Sequence, residues 1–230
     1  MINKINISNS GYVFCRSNFY TAQDVLNDTV HFEFTPGVNM ASGEIDSGIW
    51  AVSYLMSMYT HRPDDFILFE DAVADVDGKT VSLSELSELS CYIDKVYPLF
   101  STDLSVRELV NKGLKENKLD CSANDIKDLF YLDHERFERP LSCVGNEVFR
   151  AMAAVGYCNK KEIYCFPWFS KRRFDGYHAN MTGLLEILES LNKVVIVPVG
   201  LPDGNSSSYF RKMSTIERDE NGLPYFQKGD

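Results

Sequence analysis

The chain has 230 residues, 44% of them hydrophobic and 13% aromatic. That is enough to bury the core of one large domain, and too apolar for a disordered chain. The formal net charge of −10 excludes a nucleic-acid backbone as a general partner, because phosphate binding needs a positive field.

No run approaches the roughly 18 apolar residues of a membrane span, and the first residues contain no apolar h-region, so neither a span nor a signal peptide is expected. The six cysteines are Cys15, Cys91, Cys121, Cys143, Cys158 and Cys165. They form no C-x-x-C pair, and His31, His61, His134 and His178 form no i, i+4 pair, so metal-site spacing is absent. The cysteines read as free thiols in a reducing cytoplasm, with Cys143 and Cys165 expected to be buried.

In chain order, short strands are expected around Ile5 and Ile7 and again around Tyr12 and Phe14. Val30, Phe32 and Phe34 alternate as a further strand. Pro36-Gly37 marks a turn, residues 38–40 a short strand, residues 41–48 a small Gly-containing loop, and residues 49–59 a helix. Strand, Gly loop and helix in that order make a place for an anion, since helix N-terminal N–H groups point at it. Residues 66–69 read as a strand, Asp77-Gly78 as a hairpin turn, residues 84–90 as a short helix and 91–93 as a strand. Asp64, Asp65, Glu70 and Asp71 read as a solvated face.

Residues 104–138 are charged and helical, and Pro140 breaks the pattern. A strong helix spans 146–157, followed by a buried strand at 162–166. Lys171, Arg172 and Arg173 read as a solvated loop, and residues 181–191 as an amphipathic helix. Residues 194–199 are wholly apolar, as in a buried parallel sheet. A hairpin over 209–226 turns at Glu220-Asn221-Gly222. The expectation is one α/β domain over 1–230, with an antiparallel N-terminal part, a helical subdomain at about 98–140 and a C-terminal hairpin.

Several segments in this order resemble the ATP-binding cassette (ABC) ATPases, over about residues 5–200. Gly43-Glu44-Ile45-Asp46-Ser47-Gly48-Ile49-Trp50 occupies the slot of the P-loop, G-x-x-G-x-G-K-[ST]. Gly43 and Gly48 match its outer glycines. Asp46 replaces the middle glycine, Ile49 the lysine and Trp50 the hydroxyl residue. Residues 92–101 resemble the Q-loop segment, with Lys95 near the glutamine position. Leu141-Ser142-Cys143-Val144-Gly145 resembles the signature L-S-G-G-Q before an Ala-rich helix. The next strand runs into Pro167-Trp168 where the family has an aspartate and a glutamate. Asp175 matches the D-loop aspartate, and Gly200 sits at the switch-histidine position.

The resemblance implies a P-loop NTPase-type fold, and the replacements imply that hydrolysis is lost. In the family the lysine, the hydroxyl and the acids hold the phosphates, Mg²⁺ and water. Asp46 beside a polyphosphate places two like charges about 4 Å apart, a repulsion of roughly 4 kcal/mol at a dielectric of about 20. A degenerate cassette ATPase is expected, a pseudo-ATPase with no catalytic residue, no metal and no cofactor of its own. ATP and Mg²⁺ would be met only weakly, or in trans through a partner. The expected partner is an active cassette ATPase or a second copy of the chain, reaching a membrane permease through the complex, with Ser142 contacting the γ-phosphate. That places the protein in the cytoplasm, peripheral to the inner face of the membrane. The rival expectation is a nucleotide-independent protein-binding module that docks through exposed Tyr97, Phe100, Trp168 and Phe169. An unfamiliar active site around Tyr92, Asp94 and Lys95 is the remaining alternative.

Overall fold

The computed structural model describes residues 2–16, 21–42, 49–61, 73–176, 178–200, 213–218 and 224–228. The expected strand at 66–69, the acidic group Asp64 to Asp71 and the turn at Glu220-Asn221-Gly222 lie outside them. The described chain forms two sheets.

The first sheet is antiparallel, in the order β2-β1-β4-β5. β1 (Ile5–Arg16) and β2 (Thr21–Phe34) are long strands rather than the short ones expected. The apolar alternation changes from odd positions (Ile5, Ile7) to even ones (Tyr12, Phe14). The β1/β2 register shifts between Asn9 and Gly11, where two extra residues of β2 are accommodated and the pairing continues. β4 (Val73–Val76) and β5 (Lys79–Val81) join through Asp77 and Gly78, both at positive φ, as expected of this hairpin. The Asp77 carboxylate accepts from the N–H groups of Asn3 and Lys4 at 2.9 and 2.8 Å, which ties the turn to the start of β1.

The second sheet has the order β10-β9-β3-β8-β7-β6. β3 (Gly37–Ser42), β8 (Val194–Val199), β7 (Ile163–Cys165) and β6 (Ser90–Tyr92) pair in parallel. β9 (Met213–Arg218) adds to β3 in parallel, and β10 (Pro224–Lys228) returns antiparallel along it. The C-terminal strands thus extend the central sheet.

Strand alternation assigns helices to the two faces. Tyr92 meets Tyr54 of α1 (Ile49–Met58) edge to face at 5.3 Å, so α1 covers the face that carries Tyr92 and its register partner Cys165. Cys91 and Tyr164 point the other way. A Cβ on Gly156 of α6 (Val148–Cys158) would stand 3.0 Å from Cys91 Sγ and 3.2 Å from Tyr164 Cε1, so α6 covers that face. β8 is buried along its whole length, as expected of a central parallel strand. α8 (His178–Ser190) packs on β3 and β8.

α2 (Leu83–Leu89) precedes β6. The charged stretch after β6 divides into three helices, α3 (Val106–Asn117), α4 (Ala123–Leu129) and α5 (His134–Phe137). Each start is written in sequence. Ser105 and Ser122 make reciprocal capping boxes with Glu108 and Asp125, and Asp133 caps α5.

One expected loop is a helix. Lys171, Arg172 and Arg173 open α7 (Lys171–Gly176). The basic run hides a single apolar anchor, Phe174, which is buried and stands 6.4 Å from the Phe169 ring. Ser170 starts the turn by accepting from Arg173 N through its hydroxyl and from Phe174 N through its carbonyl.

Candidate functional site

In a parallel sheet, the loops at the carboxyl ends of the strands gather at one end and form the usual ligand crevice. Here β3 leads through residues 43–48 to the first turn of α1. β6 leads to Lys95, β7 to residues 166–169, and β8 to Gly200.

α6 runs back to the amino end of β7, so its own start lies toward this same end. Phe149 confirms the placement, with ring centroids 6.4 Å from Phe166 and 5.9 Å from Phe169. The signature-like turn at 141–147, just before α6, is therefore carried to the carboxyl end of the sheet. Of the P-loop-like residues, Gly43, Glu44, Asp46, Ser47 and Gly48 lie outside the described residues. Ile49 and Trp50 are the first two residues of α1.

Lys95 is exposed in a turn after β6. There Asp94 N donates to Tyr92 O, Tyr97 N to Asp94 O, and Val96 N to the Asp94 carboxylate at 3.2 Å. Tyr92 itself is buried, and the Asp94 carboxylate accepts within this turn. Asp175 lies within α7.

The signature-like residues form a 3-10 turn, Leu141–Cys143, followed by a second, Gly145–Glu147. Leu141 and Val144 are buried and anchor the turn, while Ser142 and Cys143 are exposed. The expectation of a buried Cys143 is thus overturned: the 3-10 turn faces Leu141 and Val144 inward, three residues apart, and leaves Ser142 and Cys143 outward. Gly145 holds φ +68°, a conformation an L side chain adopts only with strain.

Behind the turn stands Glu147, buried to 8% relative exposure. Its carboxylate accepts from Asp133 N at 2.9 Å and pairs with Arg136 at 3.2 Å and Arg150 at 3.8 Å. Arg136 also donates to Asn146, and Arg150 donates to Tyr131 O at 2.9 Å. A buried carboxylate needs such partners. The network ties α5, the Tyr131 turn and the start of α6 to the signature-like segment. Sequence reading missed it, because residues 131–150 converge only in three dimensions.

The carboxyl end of β7 is filled by rings. Phe166 and Phe169 are buried and, with Phe149 and Phe174, form a continuous aromatic cluster. Phe169 N donates to Pro198 O at 3.0 Å and Gly200 N to Phe169 O at 2.8 Å, so the segment after β7 is bonded to the end of β8. Ser53 of α1 donates its hydroxyl to Phe166 O at 2.6 Å and closes the other side.

Tyr97 and Phe100 are buried as well and Trp168 is half-buried, which corrects the expectation of an exposed aromatic docking surface. The Tyr97 hydroxyl donates to Ser90 O at 3.0 Å, which folds its segment back along β6. No group of three or more His, Cys, Asp or Glu placed to hold a metal occurs among the described residues. Among them, too, no helix is long and apolar enough to cross a membrane.

No protein-family model matches the sequence, and no curated protein matches it. Solved structures do match. CbiO1 from Clostridium perfringens, part of the ABC transporter complex CbiONQ, aligns with a TM-score of 0.61 at 11% identity, over 97% of this chain and 88% of its own. The ATP-binding cassette MJ0796, solved as a dimer bound to ADP and Pi, aligns with 0.58 at 12% identity, over 97% and 98%. An ABC transporter ATP-binding protein from Pyrococcus furiosus aligns with 0.56 at 15%, over 93% and 97%.

The chain has the ABC ATPase fold. Its antiparallel N-terminal sheet, mixed central sheet and intervening helices correspond to nearly the whole cassette domain in each comparison.

Proposed function

We propose that this protein is a catalytically silent cassette ATPase that acts as a transport-associated subunit by pairing with an active one. The observation that supports the reading is the end of β7. Phosphoryl transfer on this fold needs carboxylates there, to hold Mg²⁺ and orient water. Residues 163–173 contain no acid, and the strand continues into the buried rings of Phe166 and Phe169. An aromatic cluster of this kind presents no ligand to a metal ion. Gly200 at the end of β8 brings no imidazole, and Ile49 at the start of α1 no cation. Mg-ATP therefore does not fit the residues of this end, and no catalytic step is assigned to them.

The exposed Ser142, held on a turn braced by Glu147, is the group this chain offers across an interface to a nucleotide held by the partner's P-loop. Such a complex is cytoplasmic, and meets the membrane only through a permease. A self-pair would set Ser142 against Ile49, which has no use for a phosphate. Tyr97, Phe100 and Phe169 of the rival docking module are buried and Trp168 is half-buried, so no observation favours it.

The test is titration of the purified protein with ATP, with and without Mg²⁺, by calorimetry and thermal shift, together with a turnover assay. A ligand bound to the native state must raise the melting temperature. The expected result is no heat, no shift and no turnover at millimolar ATP. A Mg²⁺-dependent shift would overturn the reading and direct attention to residues 43–48.

A further inference from the structure

A cleft of about 580 Å³ opens at the opposite end of the sheet. That volume lies in the range of small-molecule sites, about 300–1,000 Å³. Asn159 and Lys161 precede β7, His61 follows α1, and Gly113, Glu116 and Asn117 lie in the last turns of α3. The segment from Tyr97 to Leu104 follows β6 but folds back along it through the Tyr97–Ser90 hydrogen bond, so the cleft stands toward the amino ends of β6 and β7.

Its lining combines the apolar side chains of Tyr97, Leu99, Leu104 and Leu109 with Lys161, Lys112, His61 and a single carboxylate, Glu116. A local excess of positive charge in a chain of net charge −10 is a specific arrangement rather than a reflection of overall composition.

Lys161 is the central group. It sits in the tight turn from α6 to β7, where its N–H donates to Gly156 O at 3.1 Å. Its ammonium donates to Glu88 O at 2.5 Å and stands 6.0 Å from the Tyr97 ring centroid. A carbonyl oxygen takes one of three ammonium protons. Among the described residues Lys161 forms no ion pair. Lys193, one strand over, shows the contrast: it is buried and paired with Glu162 at 2.7 Å. Burial holds the pKa of Lys161 below its ordinary value, partly offset by Cys91 and Glu88. A partly desolvated cation without an ion-pair partner gains from an incoming anion.

We propose that this cleft binds a small organic anion, a carboxylate on an aromatic or branched aliphatic body. The carboxylate lies at Lys161 and Lys112, and the body against Tyr97, Leu99 and Leu109. The apolar lining sets the class, since inorganic anions gain nothing from it. This site is independent of the carboxyl end of the sheet, and its test contains no nucleotide.

Phenylacetate, inorganic phosphate and benzyl alcohol are titrated separately into the protein at pH 7, followed by calorimetry and by amide chemical shifts. Phenylacetate is expected to bind saturably, with shifts centred on Gly113 and Lys161, and each of the other two at least tenfold more weakly. Lys161→Met should weaken phenylacetate at least tenfold. Lys112→Gln, at an exposed position that the fold does not need, should weaken it severalfold, which preserves the test if Lys161→Met does not fold. Absence of saturable phenylacetate binding, phosphate binding as tight as phenylacetate, shifts centred elsewhere, or unchanged affinity in both variants would each overturn the proposal.

Discussion

The fold places Cys143 at the surface and Cys165 in the core. Cys165 lies on a strand covered on both faces, and burial pushes its thiol up to about 12, with hydrogen bonds from Ser57 and Ser53 pulling the other way. Cys158 is likewise pushed up to about 12 by burial, and Cys91 is raised for the same reason. Cys121 and Cys143 are exposed. Burial and the nearby Asp125 and Asp120 raise the Cys121 thiol, which lowers its thiolate fraction. On a Cys15→Ser background, an aromatic disulfide reagent at pH 8 should therefore modify two thiols in the native protein, Cys143 before Cys121, and three more only on unfolding. Rapid native labelling of Cys91, Cys158 or Cys165, read by peptide mass, would contradict this packing.

Helix packing at the element scale depends on how closely backbones approach. α3 meets the end of α6 at Gly113, where a Cβ would stand 2.9 Å from Cys158 Cβ and 3.1 Å from the Cys158 carbonyl carbon. The second of these is backbone and cannot rotate away. Asn117 bridges the same contact by donating to Gly113 O and Cys158 O. Gly113→Ala improves helix propensity by up to about 1 kcal/mol but overpacks the contact, at a cost of about 1–3 kcal/mol. The expected net effect is destabilisation, seen as a lower urea midpoint with an unchanged slope; a raised midpoint would show that α3 moves freely against α6. The break between α3 and α4 was not read from the sequence, which ran 104–138 together as one helical stretch, although the starts of α2, α3 and α4 carry local caps: a serine and an acid three residues later satisfy the free N–H groups. α7 was not legible, because a basic run shows no apolar period and its one anchor, Phe174, acquires meaning only beside Phe169.

Across the whole molecule, burial is uneven. β7 and β8 are enclosed, whereas the edge strand β5 and the start of β4 face solvent, with Val73 50% exposed. Amide exchange should follow that gradient. The amides of Val195, Ile196 and Tyr164 should open only with global unfolding, and those of Lys79 and Thr80 by local fluctuation. Equal protection in the two sheets would show a single cooperative unit. The amino-acid sequence by itself determined the α/β class, the apolar central strands, the capped helices and the order of segments that resembles the cassette ATPases. These are written in local periodicity and short spacings. Only the tertiary structure decided that rings fill the end of β7, that Tyr97 and Phe100 are buried while Cys143 is exposed, and that a cationic cleft opens at the far end of the sheet. Each of those depends on residues distant in the chain that share one surface, and no local pattern encodes which surface that is.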